Sequence, residues 1–339
     1  PWFGSIPGIA AVLALPFLLL AWLLAGTVAS HDARYRQMDA VLAAFHQGLD
    51  LDEALETMRD LAPSTVYLDA PAARERYDAA RALADARLAT FTATVHALDN
   101  ASLSNSADWL QTSWTEFTID ANDLSNTLLP FNDVERFNDG VYAVLSGLFF
   151  VSDLAAGEGI SANELVLVVL DTLRKARREL GLVRSIAVYT TLRDGYFSSS
   201  DAEYLDTAWN TLGSLVESLE AQKTSIEARH PGPDLRIVHE DPQLVAYLAR
   251  VEEEMILALG IETGWESEWL AGEQALASLR RDARGLLDTA SAMVGDARRQ
   301  QHYRDLGAGI GLVLLYALLT LLSVMLYRSR DAAVRAQAD

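Results

Sequence analysis

Apolar and small side chains recur at steps of three and four along most of this chain, and no run keeps the two-residue alternation of a strand. The clearest case is Ser161 to Gly195. Its seam is Val166, Val169, Leu173, Ala176, Leu180, Val183, Ala187 and Thr190, the pattern of a helix packed in a bundle. Ser161 with Glu164 reads as a capping box and Gly195 as a stop. The spacing therefore predicts one uninterrupted helix of roughly 50 Å. That is too long for one compact bundle, and predicts a central strut shared between two stacked bundles.

The same period places helices on either side of the strut. Tyr35, Met38, Val41, Leu42, Phe45 and Leu49 share a face, Asp52 and Glu56 open a further stretch to Leu61, and Pro63 with Ser64 breaks it. Pro71 leads the helix Ala72 to Leu98, a polar turn Asn100 to Asn105 follows, and Ala107 to Leu129 and Asp133 to Ala156 complete the first half. Beyond the strut, the N-cap cluster Ser198 to Asp201 opens Ala202 to Arg229. Pro231, Gly232 and Pro233 interrupt the pattern. Asp241 and Pro242 start a helix to about Ile261. The last helix begins near Trp265, and nothing breaks it before Gly307. The predicted class is all-α: two stacked antiparallel four-helix bundles flanked by two transmembrane helices.

Two apolar runs change the setting from water to membrane. Pro1 to His31 and Leu306 to Tyr327 carry no charged side chain, and each is long enough to cross a bilayer. The expected organisation is a first transmembrane helix and flank over 1–31, a helical domain over 32–305, a second transmembrane helix over 306–327 and a tail over 328–339. The formal charge is −20, with −21 in residues 32–305 and +1 in the tail. Basic residues favour the inner side, so we expect a two-pass protein of the bacterial inner membrane with its large domain periplasmic. The bilayer is then an implied partner, and the acidic balance argues against nucleic acid.

Composition and motifs exclude several chemistries. There are no cysteines, hence no disulfide, thiolate metal site or cysteine nucleophile. The six histidines are scattered and show no zinc spacing. No glycine-rich phosphate loop or Gly-x-Ser-x-Gly elbow is present. Glu252, Glu253 and Glu254 point in different directions on a helix and read as a solvated face. We expect no enzyme, no metal and no cofactor.

The sharpest signal lies beside the strut's seam. Arg177, Gly181 and Arg184 are spaced four and three and share a stripe. Gly181 leaves a notch between two guanidiniums, whose planar forks suit small oxyanions and carboxylates. A partly buried arginine needs an anion, supplied either by a ligand or by a neighbouring Asp or Glu. Arg59 is the best candidate for a second arginine facing this stripe.

The run Arg177-Arg178-Glu179-Leu180-Gly181-Leu182-Val183-Arg184-Ser185 resembles the second-half signature of the nitrate- and nitrite-sensing (NIT) domain, Lys-Glu-x-x-Gly-x-Glu-Arg-Ala. Gly181 and Arg184 match, Arg177 is a basic substitute, and Arg178 and Val183 stand where that pattern has Glu. Met58-Arg59-Asp60-Leu61 is similar to the first-half signature, Leu-Gln-x-Glu-Arg-Gly-x-Ser, at Arg59. The resemblance implies an all-helical periplasmic double bundle whose anion is held by arginines from both halves, here Arg59 and Arg184, within a homodimeric or other homo-oligomeric receptor. It implies a sensor of a small anion, nitrate- or nitrite-like or a carboxylate, that passes a conformational signal through its transmembrane helices to a separate signalling partner. The alternative is a structural or accessory membrane protein that assembles through its bundles, with Trp109, Trp114, Trp265 and Trp269 as contact surfaces.

Overall fold

A computed structural model describes residues 6–119, 128–152, 162–193, 195, 198–229, 242–257 and 264–338. Every regular element among them is helical: α1 (Ile6–Tyr67), α2 (Pro71–His96), α3 (Ala101–Thr115), α4 (Leu129–Val151), α5 (Ala162–Leu167), α6 (Arg174–Leu192), α7 (Ser199–Arg229), α8 (Pro242–Arg250) and α9 (Trp265–Ala338). The chain divides into two units, one of residues 1–36 with 294–339 and one of residues 37–293.

The larger unit is a set of helices lying alongside one another. Arg87 and Arg74 of α2 meet the carbonyls of Asp50 and Thr65 on α1, so α2 runs back along α1. Gln111 on Thr92 and Trp114 on Asp85 set α3 antiparallel to α2. α4 descends beside α1, with Leu145 against Gly48 and Asn138 on Asp52. α6 runs parallel to α1, and α9 antiparallel to it, as the pairs Asp60–Arg184, Asp52–Arg177, Glu56–Arg280 and Asp50–Arg284 fix the register. The core is aliphatic and aromatic, with Phe45, Leu55, Phe91, Leu110, Phe131, Leu145, Leu180, Ala187 and Leu276 buried.

Local chemistry explains three element ends. Asn100 caps α3 by accepting from the Leu103 amide at 3.1 Å. Ser198 and Asp201 cap α7 reciprocally, the Asp201 amide donating to Ser198 Oγ (3.1 Å) and the Ser198 amide to Asp201 Oδ2 (3.0 Å). Gly195 takes φ 78° and its amide returns to the Thr190 carbonyl at 3.0 Å, a conformation that glycine adopts without strain. The Ser161 cap, the Pro231–Pro233 break and Asp241 lie outside the described residues.

Four expectations are corrected. Asn100 to Asn105 is not a polar turn and Ala107 to Leu129 is not one helix: α3 starts at Ala101 on the Asn100 cap and ends at Thr115, and residues 117–119 are not helical. The strut is not one uninterrupted α-helix: a π-helical turn, Val168–Leu173, separates α5 from α6. A second π-helical turn, Val251–Leu257, follows α8 and contains the three adjacent glutamates. Pro63 does not break α1, which continues to Tyr67. The proline forgoes the single helix hydrogen bond its own N–H would make to the Arg59 carbonyl. Leu61, Ala62 and Ser64 around it are fully buried, and that packing holds the turn helical.

The smaller unit pairs the start of α1 with the end of α9. Both helices carry a stretch long and apolar enough to cross a membrane. Phe17 meets Tyr316 edge-on at 4.8 Å, and Leu24 lies against Gly309. Past the apolar stretch, His31 pairs with Asp305 at 3.2 Å and Asp32 with Arg298 at 2.7 Å. Leu15, Leu18, Trp22, Leu314, Leu318 and Leu326 project outward.

Gly48 leaves the space that Leu145 fills; a Cβ there would stand 2.7 Å from Leu145 Cδ2. Leu145→Ala is therefore expected to lower the unfolding free energy by about 2–5 kcal/mol, measured by denaturant unfolding of the purified protein. A loss below about 1 kcal/mol, the size of a surface change, would mean this contact is not part of the core.

Candidate functional site

Charge is concentrated where the helices of the larger unit meet. Asp52, Glu56 and Asp60 occupy one stripe of α1, at most 2 % exposed. Arg177 and Arg184 face them from α6, Glu273 and Arg280 from α9, and Glu135 from α4. Together with Arg59 they form an alternating run. Glu135 Oε2 accepts from Arg59 Nη1 at 2.8 Å, and Arg59 Nε donates to Asp60 Oδ1 at 2.9 Å. Asp60 Oδ2 accepts from Arg184 Nε (2.9 Å) and Nη2 (2.6 Å). Arg184 Nη1 reaches Glu273, which accepts from Arg280 Nη1 at 2.5 Å. Arg280 Nε donates to Glu56 at 2.8 Å. Arg177 then lies 2.8 Å from Glu56 and 2.7 Å from Asp52. Asn138 and Tyr142 also donate to Asp52, at 2.6 and 2.9 Å.

The four candidate residues thus fall in one place. Arg59 and Arg184 converge, as the two-arginine expectation requires, and Asp60 stands between them holding both. Of the two sources of negative charge open at the sequence level, this geometry supplies the neighbouring carboxylate. Arg177 belongs to the lower rungs of the same run. Gly181 is a notch filled from α1: a Cβ there would be driven into Arg59 Nη2 and stand 2.8 Å from Asp60 Oδ1. Gly272 of α9 does the same for Arg184, whose Cδ would lie 2.6 Å from an added Cβ. Two glycines on two helices therefore admit two guanidiniums to the interior. Aromatic faces complete the lining, Trp269 at 3.9 Å from Arg184 Cζ and Phe131 at 4.9 Å from Arg59 Cζ.

Sequence reasoning missed the acidic side of the run. Asp52, Glu56 and Asp60, spaced by four beside Leu51, Leu55, Met58 and Leu61, carry a readable signal: carboxylates on one stripe next to an apolar one are placed to be buried and must then be paired. Of the four tryptophans, Trp114 and Trp269 are buried, while Trp109 is exposed.

The electrostatics follow from burial and pairing. Burial alone would raise the Glu56 carboxyl, but Arg177, Arg280 and Arg59 outweigh it and hold it at about 2. Burial likewise opposes ionisation of Glu273, and Arg184 with Arg280 brings it below its ordinary value. At the end of the run the balance reverses: burial, helped by Glu56, lifts Asp52 above its ordinary value against the pull of Arg177. Arg59 is held charged, since Asp60 and Glu135 outweigh its desolvation. Among the described residues no group of histidines and carboxylates is arranged to hold a metal ion.

No protein-family model and no curated protein matches the chain. Among solved structures it is similar to "Structure of the NasR transcription antiterminator", with a TM-score of 0.56, 14 % identity, and coverage of 94 % of this chain and 86 % of that one. At that identity the likeness shows a shared all-helical fold.

Two outcomes are expected. Asp60→Ala leaves two buried guanidiniums without their shared partner and is expected to lower stability by about 3–5 kcal/mol, read by chemical denaturation. Glu56 and Glu273 ionise at lower pH when folded than when unfolded, so their contribution is complete above their ordinary value of 4.5 and is lost as pH falls below it, for Glu56 towards about 2. An unfolding midpoint that holds steady between pH 4.5 and 2 would contradict that account.

Proposed function

We propose that this chain is a two-pass protein of the bacterial inner membrane, with its helical domain on the periplasmic side acting as a receptor-type module. Its helices group as two antiparallel four-helix sets, one formed by α1 to α4 and one by the α5–α6 strut with α7, α8 and α9. The switch is the niche between Arg59 and Arg184, one guanidinium from each set. The observation that supports this reading is Asp60, a carboxylate sitting between two wholly buried arginines.

A small anion, nitrate- or nitrite-like or a short carboxylate, works here by exchange. It takes the place of Asp60 between the guanidiniums and releases α1 from α6. Each charged hydrogen bond is worth about 1.5–3 kcal/mol, but those lost to Asp60 nearly cancel those gained. The net preference is therefore far below the ~5.5 kcal/mol needed to swing a balanced pair of states fully. Binding to the wild-type protein is weak for that reason, and the carboxylate acts as a built-in competitor. Movement of α1, and of α9 through Glu273, is the signal passed to a separate signalling partner within a homo-oligomer. No step in this scheme is catalytic.

A structural role is the second reading, and a specific observation favours it. Every arginine of the run already meets a carboxylate, and Glu135 at its end also faces Arg174 and Arg178, at 3.8 and 3.6 Å. On that reading the niche is a clasp that fixes how the helices pack in a membrane-tethered scaffold.

Anion rescue separates the two. With Asp60→Ala, millimolar nitrate, nitrite or succinate is expected to raise the unfolding midpoint of the full chain, as a ligand at a hundred times its dissociation constant adds about 2.7 kcal/mol. Adding Arg184→Ala is expected to abolish the rescue. If no anion stabilises Asp60→Ala more than chloride at equal ionic strength does, the structural reading stands.

A further inference from the structure

The smaller unit carries a feature that the arginine niche does not use. Between the start of α1 and the end of α9 runs a groove of about 1030 Å³. Its floor at one end is Ala21, Leu24, Ala25 and Val28 of α1 with Leu312 and Val313 of α9. At the other end it is lined by Arg36, Arg298 and Arg299, beside Tyr303 and His302. His31, Gln301 and Asp305 sit at the change of polarity, joined by hydrogen bonds of 2.9 to 3.2 Å.

Three properties define the occupant. First, length: Ala21 to Arg36 spans roughly 22 Å of helix, the thickness of one leaflet with its headgroups in a bilayer of about 40–45 Å. Second, polarity: the groove is apolar for the part that lies in hydrocarbon and charged where headgroups lie. Third, charge: the groove's formally charged lining is Arg36, Arg298 and Arg299 with Asp32 and Asp305, and Asp296 pairs with Arg299, so three guanidiniums cluster at this end of the groove in a chain of net −20. Asp32 serves both Arg36 (2.9 Å) and Arg298 (2.7 Å), so one carboxylate is shared by two guanidiniums.

We propose that this groove binds one anionic phospholipid, its phosphate among Arg36, Arg298 and Arg299 and an acyl chain along Ala21, Ala25 and Leu312. A second copy of the chain fits less well, since it would bring the same cluster of guanidiniums against this one. The proposal rests on the membrane reading above. It is distinguishable from it, because a chain that leaves the membrane under carbonate extraction contradicts both, whereas an integral chain without lipid preference contradicts this one alone.

The test is lipid selectivity of the full chain in nanodiscs of phosphatidylcholine with a minor share of phosphatidylglycerol, read by native mass spectrometry. Phosphatidylglycerol is expected to be retained over phosphatidylcholine. Arg298→Gln and Arg36→Gln are each expected to lower that preference about fivefold, the equivalent of ~1 kcal/mol per basic residue at a membrane surface. Asp32→Asn removes a competing carboxylate and is expected to raise it. Equal retention of the two lipids, or a fall with Asp32→Asn, overturns the proposal. So does displacement of the lipid by inorganic phosphate alone, which would make the site a free-anion site. The chain has no cysteine, so Ala25→Cys supplies a single thiol; its efficient cross-linking to a second copy would place a helix in the groove and also overturn the proposal.

Discussion

Burying a guanidinium or a carboxylate in a protein interior costs several kcal/mol unless each meets its opposite. This protein meets that constraint by alternation: Glu135, Arg59, Asp60, Arg184, Glu273, Arg280, Glu56, Arg177 and Asp52 follow one another, each within hydrogen-bonding distance of the next. Four helices contribute, and none could shift by one turn without separating several pairs at once. The run therefore acts as a register lock. It sets α6 parallel to α1 and α9 antiparallel to both, where apolar seams alone would tolerate several alignments.

Glycine makes the lock possible. Gly181 and Gly272 are the two positions where a side chain would strike Arg59 or Arg184, and each sits on the helix opposite the arginine it admits. The aromatic faces of Phe131 and Trp269 then close over the guanidiniums, keeping water out and strengthening each charge pair. Function, on the reading proposed, is a perturbation of this arrangement: whatever competes for Asp60 acts on α1, and α1 carries the apolar stretch.

The all-helical class and most helices were legible from the three-and-four spacing. So were the starts at Pro71 and Trp265 and the N-cap at Ser198, because caps and prolines act locally. What periodicity could not carry were effects of tertiary packing. Pro63 stays helical because its neighbours are buried, and the π-helical turn at Val168–Leu173 lies within a seam that reads as regular. At the site, the notch at Gly181 and the pairing of Arg59 with Arg184 could be anticipated from stripe geometry and the resemblance it supports. Asp60 could not be singled out among 47 acids, although its spacing with Glu56 and Asp52 beside the apolar stripe of Leu51, Leu55 and Met58 pointed to a buried, paired carboxylate.

A double-mutant cycle on Asp60 and Arg184 tests the central claim most directly. Asp60→Asn, Arg184→Gln and the double substitution, each measured for unfolding free energy, isolate the coupling between the two side chains. A shared, fully buried carboxylate predicts a coupling of about 2–3 kcal/mol, at the upper end of what contacting residues show. Additive losses, within about 0.5 kcal/mol, would mean that Asp60 does not bridge the arginines and that the lock described here does not exist.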